Sequence, residues 1–141
     1  MKILVSACLL GCSCRYDGKS KPCEAVIALA DKHILIPVCP EIYGGLSTPR
    51  SPSEIVGDRV VNSLGKDVTA EYEKGAKETL KLAKKLGCDK AILKAKSPSC
   101  GKGKIYDGTF SGTLKDGSGI TAKLLTASGI EVFTENEIPL F

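Results

Sequence analysis

The chain has a single histidine, no C-x-x-C pair and no apolar run approaching the length of a membrane span. With His33 alone before a strand-like run, Cys/His zinc sites and Cys–His nucleophilic dyads have little to build on. Gly101-Lys102-Gly103-Lys104 and the Gly112–Gly119 stretch match neither the Walker phosphate loop nor G-x-G-x-x-G, so nucleotide phosphate hydrolysis is unsupported. Cys8-x-x-x-Cys12-x-Cys14 falls one residue short of the run used by radical enzymes that cleave S-adenosylmethionine. Ser6 through Arg15 lacks the apolar region of a signal peptide, and cytoplasmic residence is expected. No repeat, low-complexity tract or linker divides the 141 residues, so 1–141 is expected to be one domain.

What is present is thiol and lysine. Seven cysteines in a reducing compartment argue against structural disulfides, and several stand beside Gly, Pro or Ser. One buried cysteine is ordinarily a small core hydrophobe; seven are too many for that reading, which leaves metal or thiol chemistry. The net charge of +4 is concentrated. Lysines run from Lys74 through Lys81, Lys85 and Lys96 to Lys104, against only Glu78 and Asp89. Such a run is either a solvated helix face or a contact for an anionic partner such as tRNA. No aromatic residues interleave with these lysines as a single-strand stacking platform requires.

Strand-like and helix-like segments alternate. Strands are predicted at Lys2–Ala7, Ile34–Val38, Ala91–Lys94 and Glu131–Thr134, with a hairpin over Glu54–Asn62 across Gly57-Asp58. A short helix from Pro22 to Asp31, a long one from Ala70 to Leu86 capped by Thr69, and a last one from Gly119 to Ser128 complete the pattern. Tyr72, Ala76, Leu80, Ala83 and Leu86 give the long helix one face for the sheet. The class is α/β, with a short, mostly parallel sheet of about four strands in order 2-1-3-4. Long loops are predicted at 39–66 and 97–116, each leaving the carboxyl end of a strand.

Three apolar runs, Ile3–Val5, Ile34–Ile36 and Ala91–Leu93, each lead into a cysteine: Cys8, Cys39 and Cys100. In a parallel sheet these emerge at one carboxyl edge, where open α/β sheets bind ligands. Soft thiolates suit iron–sulfur clusters and zinc, and three of them leave one position open. Glu41 follows Cys39 by two residues, Ser97 and Ser99 precede Cys100, and Arg15, Asp17 and Arg50 lie in flanking loops. A carboxylate beside a Lewis-acid metal can take a proton from water, and a serine can orient or donate one.

Five motifs carry a resemblance across nearly the whole chain: Ser6-Ala7-Cys8-Leu9-Leu10-Gly11, Arg15-Tyr16-Asp17-Gly18, Val38-Cys39-Pro40-Glu41, Gly44-Gly45-Leu46-Ser47-Thr48-Pro49-Arg50, and Lys94-Ala95-Lys96-Ser97-Pro98-Ser99-Cys100-Gly101. The chain resembles the thiouracil desulfidase family, small bacterial and archaeal proteins long labelled as a domain of unknown function. The resemblance implies a three-layer, Rossmann-like fold with a 4Fe–4S cluster held by Cys8, Cys39 and Cys100, and the fourth iron free to take the sulfur of a thiolated nucleobase, nucleoside or nucleotide. It implies hydrolysis without redox change: the C–S bond is polarised, water attacks the ring carbon, and hydrosulfide leaves at the open iron. Glu41 matches the position that handles the water proton, and Ser97 the position that assists proton transfer. Cys12, Cys14, Cys23 and Cys88 are additional thiols; a fourth ligand from Cys14 would close the open iron. The alternatives are a sulfur-transfer or RNA-binding accessory protein in tRNA thiolation, and a zinc or thiol-redox domain.

Overall fold

Ile3, Leu4 and Val5 have no exposed surface, as a strand covered on both faces requires. The computed structural model describes residues 1–141 and places Ile3, Leu4 and Val5 in β1, Lys2–Ser6. The elements that follow are α1 Glu24–Ile27, β2 Ile34–Val38, α2 Pro40–Tyr43, β3 Ser53–Val56, β4 Arg59–Asn62, α3 Thr69–Leu86, β5 Lys90–Leu93, β6 Lys104–Tyr106, β7 Leu114–Asp116, α4 Ile120–Ala127 and β8 Glu131–Thr134. The main sheet has the order β2-β1-β5-β8, and every pair in it is parallel. That is the predicted 2-1-3-4 order, with the switch point between β1 and β5.

Side chains alternate across a strand, and here the alternation makes three layers. Leu4, Ala91, Leu93 and Val132 pack with Ala83 of α3 and with Ala122 and Leu125 of α4. Ile3, Val5 and Ile92 pack on the other side with Leu9 and Val26. A third cluster joins Ile55, Val60, Val68, Tyr72 and Ile105, tying the β3–β4 hairpin and β6 to α3. Tyr72 therefore packs under the hairpin and not on the main sheet, because it lies at the N-terminal end of α3.

Several local expectations are corrected. Thr69 does not cap α3: it is the first helical residue, and its hydroxyl accepts the Val60 N–H at 2.8 Å. Asp67 takes up the capping work, accepting the Thr69 N–H at 2.9 Å. Pro22 lies outside α1, which begins at Glu24 after Cys23 and runs into a 3-10 turn over Ala28–Asp31. The two long loops hold regular pieces: α2 in the first, and the β6–β7 hairpin in the second. No helix is long and apolar enough to cross a membrane.

Candidate active site

Cys8 lies in the 3-10 turn Ala7–Leu10 directly after β1. Cys39 stands at the N-terminal boundary of α2, directly after β2. Cys100 closes the Ser97–Cys100 loop after β5. In that loop Ser97 Oγ accepts the N–H groups of Ser99 and Cys100, both at 3.1 Å. The start of α4 fastens the loop from behind, with Ile120 and Thr121 donating to the carbonyls of Pro98 and Ser99 at 2.9 Å. All three cysteines line one cavity of about 420 Å³, together with Cys14, Glu41, Arg50, Ser97 and Ser99. That volume lies in the range of small-molecule sites. Cys12 is exposed, Cys23 is half-buried beside α1, and Cys88 is a buried core residue.

Glu41 is the centre of the polar network. Its Oε1 accepts from Arg50 Nε at 3.0 Å and from the Tyr72 hydroxyl at 2.9 Å. Its Oε2 accepts from the Ser99 hydroxyl at 2.8 Å. Ser97 Oγ lies 2.9 Å from Ser99 Oγ; with the Ser99 proton on Glu41, Ser97 is the donor of that pair. A continuous chain, Ser97–Ser99–Glu41, thus joins the two polar residues singled out from the sequence. Burial lowers the proton affinity of Arg50, but the charge and hydrogen bond of Glu41 outweigh it and hold the guanidinium charged. Burial, then the Glu41 charge, push the Tyr72 phenol up, so it stays a donor.

Arg50 also gathers the loops. Its Nη2 donates to the Cys14 carbonyl at 3.0 Å, and its Nη1 to the Ser47 carbonyl and Thr48 Oγ1, each at 3.2 Å. The Cys39 thiol contacts the same Cys14 carbonyl at 3.8 Å. Contact with Cys14, then burial, push the Cys39 thiol well above its ordinary range. Burial pushes the Cys100 thiol up to about 12, against the hydroxyls of Ser6 and Ser99. The Cys14 thiol is lowered by contact with Cys39, but contact with Cys8 and burial outweigh that and raise it. Reactive cysteines have depressed values; these thiols move the other way.

The donor set fits a 4Fe–4S cluster. The thiols are soft ligands in a half-enclosed cavity, and metal binding takes their protons. No group of three or more Cys, His, Asp or Glu side chains is placed to hold a single metal ion. Arg50 and Ser99, named from the sequence as polar groups near the cysteines, are partners of Glu41, and so is Tyr72, which the sequence placed only on a packing face. For Tyr72 the available signal was a hydroxyl on an otherwise aliphatic helix face.

The sequence profile of the 2-thiouracil desulfurase family matches residues 3–137. The chain belongs to that family. It is 46% identical over 146 residues to the uncharacterized protein YbbK of Bacillus subtilis, covering 96% of this chain and 97% of YbbK. Among solved structures it is similar to the 4Fe–4S-dependent thiouracil desulfidase TudS, with 48% identity and a TM-score of 0.93. That match covers 98% of this chain and 93% of TudS.

Proposed function

We propose that this family member hydrolyses the C–S bond of a thiolated pyrimidine such as 2-thiouracil, with a 4Fe–4S cluster held by Cys8, Cys39 and Cys100. The observation that carries the reading is a single cavity lined by three strand-end thiols and by the Ser97–Ser99–Glu41 chain. When bound, the cluster supplies a Lewis-acidic iron with a position for the substrate sulfur, which weakens the C–S bond. Residues 1–141 act in this reading as one cluster-binding domain.

The chain's own residues manage the protons. Glu41 accepts a proton from the water that adds to the ring carbon. Arg50 and Tyr72 fix Oε1, which leaves Oε2 and its Ser99 contact as the exchanging side. Ser97 and Ser99 carry a proton between Glu41 and the departing sulfur. The stoichiometry is C=S plus water giving C=O, hydrosulfide and a proton, with no electrons consumed. The substrate sulfur needs an open position, so this reading requires that Cys14, which lines the same cavity, is not a fourth ligand.

Protein loaded with iron and sulfide without oxygen is expected to release hydrosulfide and uracil in equal amounts from 2-thiouracil. Cys39→Ala is expected to lose cluster and turnover, while Cys88→Ala keeps both. A Cys39→Ala protein with full iron content and full turnover would overturn the ligand assignment.

A second reading concerns partners. Lys74, Lys81 and Lys85 border a groove beside α3 with Tyr43, Leu82 and Glu78, which pairs with Lys81; the excess of lysines there suits an anionic partner such as tRNA. Salt-sensitive tRNA binding lost on replacing Lys74, Lys81 and Lys85 is the expected result; absence of binding at low salt would remove this reading.

A further inference from the structure

Phe110 holds a left-handed backbone at φ +57°, a conformation that is a genuine outlier for a bulky side chain. Glycine or asparagine forms such a turn with less strain. The conformation is held by Glu54 of β3, which is only 9% exposed. Its Oε1 accepts the N–H groups of Gly108 at 2.9 Å and Phe110 at 3.1 Å. A buried carboxylate is thus used to fasten the tip of an exposed hairpin.

The Phe110 ring is 40% exposed and lies outside the three buried apolar clusters. The aromatic ring pairs lie elsewhere, around Phe141. Phe110 lines the cavity that Cys8, Cys39 and Cys100 share; Tyr16, whose ring is covered by Arg15, and Tyr106 are the other aromatic residues of that lining. A flat apolar ring at the exposed side of a cavity with buried thiols and hydroxyls suits a flat heteroaromatic ligand with a polar edge. Stacking on an aromatic side chain is a general way to hold a nucleobase, because every base has a π-face.

We propose that Phe110 is the stacking surface for the pyrimidine ring, and that Glu54 is the positioning residue that holds it there. The proposal rests on the desulfidase reading above and adds to it what grips the ring.

The test uses the cluster-loaded protein with two probes: 2-thiouracil for turnover, and uracil, which lacks the sulfur, for binding by calorimetry. Phe110→Ala is expected to raise KM for 2-thiouracil and weaken uracil binding, each about tenfold, within the range for lost base stacking. Its kcat should stay within about twofold, since the polar chain is untouched. Phe110→Trp is expected to restore binding. Glu54→Ala should reproduce the KM effect, whereas Glu54→Gln, which keeps an acceptor oxygen, should stay near the parent value. Unchanged KM and unchanged uracil affinity in Phe110→Ala would overturn the proposal, as would a loss that Phe110→Trp does not repair. If the parent protein releases no hydrosulfide, the desulfidase reading fails separately. The uracil comparison then decides the stacking claim by itself.

Discussion

The three donors around Glu41 set what each side chain of the site can be expected to do. Glu41→Gln keeps the shape but cannot take a proton, so kcat is expected to fall about 10²- to 10⁴-fold, with iron and sulfide content unchanged. Ser99→Ala cuts the chain between Ser97 and Glu41 and should lower kcat while leaving KM close to the parent value. The Arg50–Glu41 pair is nearly enclosed, with side-chain exposures of 8% and 14%. Removing one partner of such a pair leaves an uncompensated charge. Arg50→Met is therefore expected to destabilise the fold by about 3 kcal/mol, read as a lower urea midpoint with unchanged slope. Cys14→Ala, by contrast, is expected to keep cluster and turnover. Glu41 and the three cysteines were legible in the sequence because each lies in the segment that follows an apolar run, Cys8 and Cys39 three residues past Val5 and Ile36, and Cys100 seven past Leu93. The bonds of Arg50 and Tyr72 to Glu41 were not, since those sequence separations are closed only by the fold.

The contact of α2 with α3 carries Cys39 and Glu41 to their places, and two glycines permit it. A Cβ on Gly75 would lie 1.9 Å from the Pro40 carbonyl oxygen, and one on Gly44 would lie 1.9 Å from the Glu71 carbonyl oxygen. Gly75→Ala must push α2 off α3. A cost of about 1–3 kcal/mol is expected for such overpacking, together with reduced iron per chain after loading. A second test concerns the start of α3. Arg59, then Thr69, hold the Asp67 carboxyl well below its ordinary range. Because the folded value is depressed, the stability Asp67 contributes is complete above the ordinary value of 3.8 and is lost as pH falls through the folded value. Asp67→Asn should thus lower Tm at about pH 7, and the difference from the parent should shrink only in strong acid. The long helix was legible from its period. Its cap was not, because Thr69 is drawn away by the β4 backbone. The short α2 and the β6–β7 hairpin were missed because pieces of three or four residues are too short to show a period.

Three parallel strands deliver three cysteines to one edge of the sheet, and this convergence is the property of the molecule from which its chemistry follows. It was legible because the sheet is simple: the central strands are continuous apolar runs, and the crossover rule leaves few orders for four parallel strands. The cavity's exposed rim was less legible. Its hairpin tip takes its shape from a buried Glu54 more than fifty residues away, a contact no local pattern reveals. The account stands most directly on hydrosulfide release from 2-thiouracil by protein loaded with iron and sulfide in the absence of oxygen. Sustained release, matched by uracil and accompanied by no consumption of reductant, is the expected result. A fully loaded cluster that releases no hydrosulfide from 2-thiouracil or its nucleoside would contradict it.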